Sequence, residues 1–386
     1  MWTLLSDIAR LESGHTPSRR HAEYWDGDVP WIGIKDATGN HGRVITSTLQ
    51  TITQAGLDNS SARLLPAGTV CLSRTASVGY VVTMGVPMAT SQDFINWVCG
   101  PQLSCRYLHY ILVMEQDSVR RFAHGTTHQT VYYPEAKAFH VCIPSRGEQD
   151  RIVSVLGALD DKIAVNERIS DAGENLAVAL ASGERWNKHV RLDSLCELRK
   201  YQVSPQEVDD EFVDHYSLPA FDSGKLPVRE APVSIKSGKF LVSEPAVLLS
   251  KLNPDIPRVW NVMPNSGVRS LASTEFLVLV PRGDLSVHEL WAVTAQQAFL
   301  EDLASKVTGT SKSHQRVRPA EVLESTVVDP RQFGEVGAQL RSLASRSALA
   351  RRESQTLATL RDTLLPQLMS GRLRVKDAEK IVEDHV

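Results

Sequence analysis

Two stretches of the chain concentrate side chains able to hold phosphate or read the edge of a nucleobase. Between Asp117 and Glu135 lie Arg120, Arg121, His124 and His128, with no carboxylate among them. Between Asp302 and Glu321 lie Lys306, Lys312, His314, Arg316 and Arg318, again with no carboxylate, so this stretch carries +4 in a chain whose total is −3. Lys and Arg displace the counterions condensed on a phosphate backbone. Ser, Thr, Gln and His add donors and acceptors that reach phosphate oxygens or base edges. A solvated basic loop would look the same in one copy alone. The recurrence of Gly125-Thr126-Thr127-His128-Gln129-Thr130-Val131 as Gly309-Thr310-Ser311-Lys312-Ser313-His314-Gln315-Arg316-Val317 favours binding; the His-Gln pairs stand 186 positions apart.

The common catalytic signatures are missing. There is no G-x-x-x-x-G-K-[ST] and no G-x-G, so neither phosphate-cradling loop is present. His288-Glu289-Leu290-Trp291-Ala292 lacks the last His of a zincin, and His21-Ala22-Glu23 lacks the P-C-x-x-C half of a deaminase site. Pro254-Asp255 has no nearby acid-x-Lys and reads as a turn, and no Asn/Asp-Pro-Pro-aromatic loop occurs. The 12 histidines are scattered, so no catalytic residue and no metal site is expected. The cysteines (Cys71, Cys99, Cys105, Cys142 and Cys196) form no C-x-x-C pair and read as free thiols in a reducing cytosol. No run of 18 apolar residues predicts a membrane span, and Asp7, Arg10 and Glu12 interrupt the stretch a signal peptide would need.

The elements that position the two stretches repeat with them. The chain has 386 residues, 42% of them hydrophobic, enough for two or three domains. Leu5-Ser6-Asp7-Ile8-Ala9-Arg10-Leu11 is echoed by Leu192-Asp193-Ser194-Leu195-Cys196-Glu197-Leu198, and Pro144 by Pro330, at nearly the same offset. A period this long means domain duplication rather than a solenoid. Each copy closes in a helical pattern. Ile152, Leu156, Leu159 and Ile163 follow a 4-3-4 spacing, with polar Asn166 at the next seam position, where it can fix register. The seam then resumes one residue out of phase at Ile169, Leu176 and Leu180. Val336, Leu340, Leu343, Ala350, Leu357 and Leu364 form the second stripe, stopped by Pro366 with Gly371 just beyond. Each helix should run about 33–36 residues, roughly 50 Å, and the two stripes are expected to pair.

The globular parts, 1–147 and 190–331, mix short β-rich runs (Thr69–Ser73, Tyr80–Thr83, Phe94–Val98, Ala246–Ser250, Glu275–Val280) with helical stretches near Leu103–Phe122 and Val287–Val307. The class is α/β or α+β without regular βαβ alternation. A doubly wound nucleotide fold is therefore not expected. Net charge runs +1 for 1–147, −3 for 148–189, −3 for 190–331 and +2 for 332–386. No region is basic enough to hold DNA tightly through phosphates alone, so either base contacts matter or a partner supplies positive surface.

The chain resembles the specificity subunit of type I restriction–modification systems. Gly14-His15-Thr16-Pro17, Tyr24-Trp25, Val29-Pro30-Trp31-Ile32 and Lys35-Asp36 look like the opening of a target-recognition domain, and Leu64-Leu65-Pro66-Ala67-Gly68-Thr69-Val70 with Ser73-Arg74 looks like its central strand. Glu148-Gln149-Asp150-Arg151-Ile152 and Leu159-Asp160-Asp161-Lys162-Ile163-Ala164-Val165-Asn166 look like the start of the spacer helix, and Leu364-Leu365-Pro366-Gln367-Leu368-Met369-Ser370-Gly371-Arg372-Leu373 like the C-terminal hallmark. The second copy departs, with Val203-Ser204-Pro205 for Gly14-His15-Thr16-Pro17 and no Pro-Trp-Ile.

The resemblance implies two target-recognition domains, 1–147 and 190–331, separated by an antiparallel pair of coiled-coil-like spacer helices, 148–189 and 332–386. It implies a cytoplasmic DNA-binding chain without catalysis, in which each domain reads one half of a bipartite, asymmetric site on double-stranded DNA. Two modification subunits, carrying S-adenosylmethionine and methylating adenine, would dock on it; restriction–translocation subunits would join where the system has them. This chain would bind no cofactor itself. The residues expected to touch bases or phosphates are then Lys35, Arg74, Thr126, Thr127, His128 and Gln129 in the first copy. Lys251, Asn253, Lys312, His314, Gln315 and Arg316 are those of the second. Ile152, Leu156, Leu159, Ile163, Asn166, Val336, Leu340, Leu343, Leu357 and Leu364 are expected in the helix pair and its docking surface. Two competing readings, a helical scaffold without DNA contact and a self-sufficient DNA enzyme, make opposite predictions for DNA binding and for methylation by this chain alone.

Overall fold

The structure, a computed structural model, describes residues 2–124, 129–307 and 315–384. It comprises two compact units, Met1–Asp161 with Leu357–Val386, and Lys162–Thr356.

The main sheet of unit one is ordered Ala9–Ser13, Phe94–Cys99, Val70–Ser73, Val81–Met84, Arg43–Ile45. It is antiparallel except at its last pair. Strand residues alternate between faces, and here both faces are covered. Cys71, Val82, Met84 and Phe94 pack with Ile32, Ile45 and Met88 on one side. On the other, Thr83 bonds His109 of the helix Cys105–Met114 (2.8 Å). That is why Val70, Cys71 and Leu72 are all fully buried and read as one continuous apolar run. A smaller sheet, Gln50–Ile52, Trp25–Ile32, Ala89–Thr90, and the pair Trp2–Leu4 with His140–Cys142 complete the sheets of the unit among the described residues.

Unit two repeats this plan. Its sheet Cys196–Arg199, Phe276–Pro281, Ala246–Ser250, Val259–Val262 has the strand order of the first four strands above. Val247, Leu249, Leu277 and Leu279 pack against Leu290 and Val293 of the helix Val287–Thr294. Leu248, Val278 and Phe276 face Trp260 and Tyr216. His189–Arg191 pairs with Thr326–Val328 as Trp2–Leu4 pairs with His140–Cys142. A second sheet, Gln202–Val203, Lys239–Leu241, Arg269–Ser273, Val213–Tyr216, Val228–Glu230, differs in order from its counterpart. The offset between copies is 187 at Ala9/Cys196 and 186 at His140/Thr326, yet only 176 at Val70/Ala246. Insertions and deletions inside the copies therefore cancel over each copy's length.

All five β-rich runs read from the sequence are strands, to within one or two residues. The two helical stretches are each broken into two helices, Cys105–Met114 with Gln116–Arg121, and Val287–Thr294 with Gln297–Ser305.

Two helices dominate the chain: Arg146–Ala181, of 36 residues, and Glu335–Met369, of 35. In unit one, Ile152, Leu156 and Leu159 are buried on the first and Leu357 and Leu364 on the second, and Arg361 donates to Asp160 across them (2.8 Å). In unit two the helices run antiparallel. Asn166 donates to Glu353 (2.9 Å), Ser170 to the Ser347 carbonyl (3.1 Å), and Arg351 to Glu174. Ile163, Val336 and Leu343 are half-buried, while Leu340 and Asn166 are buried.

Two expectations fail here. The seam beyond Asn166 does not pass through Ile169, Leu176 and Leu180; Leu176 is 49% exposed. The buried positions are Ser170, Ala177 and Ala181, with Gly173 so close that an added Cβ would sit 2.3 Å from Ser347 Oγ. Small residues bring two helix backbones together, and an apolarity count does not register them. Nor does Pro366 stop the second helix, which continues to Met369. Proline this near the end deprives the helix of a single bond, Ser370 N–H closes on the Pro366 carbonyl (3.1 Å), and buried Leu364, Leu365 and Leu368 hold the turn. The chain turns off at Gly371, whose φ is +71°.

Each unit grips its following helix through the helix that precedes it. Tyr110 donates to Asp160, and Ser104 N–H to the buried Gln149 (2.9 Å), in unit one. In unit two His288 bonds Ser345 (3.0 Å) and Arg341 pairs with Glu289 (2.6 Å).

Candidate nucleic-acid interface

The central strand of each sheet ends in the same backbone construction. In unit one, Arg74 N–H donates to the Asp93 carbonyl (2.8 Å), Val131 N–H to the Arg74 carbonyl (2.9 Å), and Ala76 N–H to the Gln129 carbonyl (3.0 Å). In unit two, Lys251 N–H donates to Glu275 (3.0 Å), Val317 N–H to Lys251 (3.0 Å), and Asn253 N–H to Gln315 (2.8 Å). Both Ala76 (φ +61°) and Asn253 (φ +47°) are left-handed, a conformation side chains rarely adopt without being held there. Arg74 thus corresponds to Lys251, and Gln129 to Gln315. Residues far apart in sequence, chosen separately as candidates, meet at one strand end in each unit. Thr126, Thr127, His128, Lys312 and His314 lie outside the described residues.

The side chains on this shared backbone differ. The Arg74 guanidinium is turned back onto protein: Nε donates to the Gln92 carbonyl (3.0 Å), Nη1 to the Val131 carbonyl (3.3 Å), and the head sits 4.9 Å from the Tyr133 ring centre. Its partners are uncharged, so its full charge remains. Arg316 instead pairs through two hydrogen bonds with Glu275 (3.1 and 3.0 Å), and the guanidinium holds the Glu275 carboxyl below the usual carboxylate range. The stretch between Asp302 and Glu321 is acid-free in sequence but not in space. Glu275 comes in from the turn that precedes the strand Phe276–Pro281, Lys306 is held by Asp302 (2.6 Å), and Arg318 approaches Glu321 (3.9 Å). Three of the four cationic side chains thus meet carboxylates, and the fourth, Lys312, lies outside the described residues. In the first stretch Arg120 is drawn to Asp117 (3.3 Å) and His124 to Glu135 (4.0 Å).

Lys35 is exposed on the short helix Ile34–Gly39 and takes no part in the strand-end hydrogen bonds. Its neighbour Asp36 is buried and structural, accepting Gly33 N–H (2.9 Å) and Leu49 N–H (2.8 Å).

The structure adds residues that sequence reasoning did not select. Gly14 lies so close to Ser91 that a Cβ would stand 2.1 Å from its carbonyl oxygen, which explains the glycine. Thr16 donates to the Gln92 side chain, and so joins the N-terminal segment to the residue whose carbonyl holds Arg74. Trp31 Nε1 donates to the His15 carbonyl (3.0 Å), and the Arg19 guanidinium stacks 3.5 Å over Trp25 while donating to Gln50 (2.8 Å). The Thr-Pro and Tyr-Trp motifs were visible in the sequence; what they assemble was not.

Among the described residues no group of three or more His, Cys, Asp and Glu could hold a metal ion, and no helix is long and apolar enough to cross a membrane.

Residues 3–173 match the family model of the type I restriction modification DNA specificity domain. The chain is 22% identical to the type I restriction enzyme MjaIX specificity subunit of Methanocaldococcus jannaschii, over 97% of this chain and 93% of that one. It is 27% identical to the HindI specificity subunit of Haemophilus influenzae, over 47% of this chain and 40% of that one. Among solved structures, the S subunit of a type I restriction-modification system from M. genitalium shares its fold with a TM-score of 0.57 at 15% identity, covering 95% of both chains. Residues 3–173 thus match a type I restriction modification DNA specificity domain, and over nearly its whole length the chain is similar to specificity subunits of type I restriction–modification systems.

Proposed function

We propose that the chain is the non-catalytic, sequence-reading subunit of a type I restriction–modification complex. Residues 1–147 and 190–331 each read one half of a bipartite, asymmetric site on double-stranded DNA. The helical segments 148–189 and 332–386 fix the gap between half-sites and dock two methyltransferase subunits, which bring S-adenosylmethionine and methylate adenine. Restriction–translocation subunits join where the system has them. The chain itself holds no cofactor.

One observation carries this reading. The same strand-end construction occurs in both units, with a cationic residue (Arg74, Lys251) bridged to a glutamine-bearing segment (Gln129, Gln315). Repeated backbone with altered side chains is what two readers of different sequences require, since hydrogen-bond donors and acceptors at base edges carry the specificity. Exposed apolar positions along the long helices support a docking role. Val165, Leu176 and Leu349 are exposed apolar residues on the long helices within unit two.

The test is to express the chain with its methyltransferase subunit in a host free of adenine methylation and map modified adenines. A split motif, lost when this chain is omitted, is the expected result. Methylation without this chain, or methylation by this chain alone, would refute the assignment.

A further inference from the structure

We propose that Arg19 is a specificity-determining residue of residues 1–147, directed at a guanine in the half-site that this domain reads. The inference rests on the DNA-reading role proposed above and names a contact within it.

Several arginines of unit one are held by carboxylates. Arg10 and Arg63 pair with Glu12 (3.0 and 2.7 Å), Arg120 with Asp117, and Arg146 with Asp150 (3.0 Å), so their charge is spent inside the protein. Arg19 and Arg74 are fixed just as firmly, but by uncharged partners. Arg19 is exposed. Its guanidinium plane lies 3.5 Å over the Trp25 ring and 5.6 Å from the Trp31 ring centre, and Nη2 donates to Gln50 Oε1 at 2.8 Å. Trp25 is held in turn by its edge contact with buried Trp31 (5.2 Å) and by Nε1 donating to the Ser18 carbonyl (3.3 Å).

Stacking plus one hydrogen bond leaves Nε, Nη1 and the second Nη2 hydrogen without a partner among the described residues. A planar fork, fully charged and held by its neighbours before ligand arrives, loses little side-chain entropy on binding. That fork matches guanine, whose O6 and N7 accept two parallel hydrogen bonds in the major groove. A phosphate would accept the same fork, but would not require its plane to be fixed by a tryptophan.

The position agrees with the rest of the interface. Arg19 follows Thr16 and Pro17, and Thr16 donates to Gln92, whose carbonyl holds Arg74. Two uncompensated guanidinium groups are thereby tied to one segment. In unit two the corresponding strand end carries Lys251 and an arginine already paired with Glu275. The two copies therefore offer different recognition chemistry from one scaffold, and the guanine preference is assigned to the first.

The test uses the complete complex of this chain with its methyltransferase subunits, as wild type, Arg19→Ala and Arg19→Lys, in selections from randomised duplexes and in salt titrations. Wild type should select a split site with a guanine in one half. Both variants should relax that position by about tenfold or more while leaving the other half-site unchanged, the scale expected when one bidentate contact is lost. Arg19→Lys should keep the wild-type salt dependence, because it keeps the charge; it also decides the matter if Arg19→Ala does not fold. Retained guanine preference in Arg19→Lys overturns the proposal and makes Arg19 a phosphate contact. If wild type selects no split site, the DNA-reading assignment itself fails and the proposal with it.

Discussion

Arg316 and Arg74 show that charge on a side chain and charge available to a ligand are different quantities. Arg316 shares two hydrogen bonds with Glu275, whereas Arg74 is held by backbone carbonyls and a tyrosine ring. Glu275→Gln should remove the carboxylate charge that faces Arg316 and steepen the salt dependence of DNA binding by about 0.9 in log–log slope, the equivalent of one phosphate contact. Fluorescence anisotropy across a salt series measures it, and an unchanged slope would mean Arg316 does not face DNA. Arg74→Ala should weaken cognate binding by about 1–3 kcal/mol; affinity equal to wild type would remove Arg74 from the interface.

His109 allows a prediction about stability. It is buried, bonded to Thr83 (2.8 Å), and burial pushes its pKa down to about 4 from an ordinary value of 6.5. The unfolded chain takes up this proton at a higher pH than the folded one. The contribution is therefore intact above about pH 6.5 and is lost progressively towards pH 4, amounting to about 2 kcal/mol at pH 5. Denaturant midpoints at pH 7.5 and pH 5 should diverge for wild type, and the divergence should shrink in His109→Gln.

At the scale of elements, the long helices pack through two different chemistries. In unit one the buried positions are large, with Leu156 and Leu159 on one helix and Leu357 and Leu364 on the other. In unit two the contact passes through Ser170, Gly173, Ala177 and Ser347, with Asn166 bonded to Glu353. A bulky side chain at Gly173 has nowhere to go. Gly173→Leu should destabilise the chain by about 1–3 kcal/mol through overpacking, read as a lowered urea midpoint. Leu176→Ala, at an exposed position, should leave that midpoint within about 0.5 kcal/mol of wild type.

At the scale of the whole molecule, the proposed function makes the helical segments responsible for the gap in the DNA site. Inserting four residues within Arg146–Ala181 adds roughly 6 Å of helix. The mapped methylation motif should then change in the length of its non-specific gap and not in the bases of either half. Altered half-site bases would contradict the division of labour proposed between globular and helical segments.

The sequence by itself determined the duplication, five of the strands, the two long helices and the resemblance to specificity subunits, because each rests on local pattern. Leu5–Leu11 and Leu192–Leu198 repeat a motif, Val70–Leu72 and Ala246–Leu249 are unbroken apolar runs, and the 4-3-4 spacing of Ile152 to Ile163 is helical period. Tertiary structure alone decided which residues form the site and the seam. Glu275 cancels Arg316 across 41 positions, and Gln92 links Thr16 to Arg74. Ser170, Gly173 and Ala177 line the helix contact because they are small, not because they are apolar. Pairing across a sheet and close approach between helices are set by distance in space, and composition within a window carries no measure of that distance.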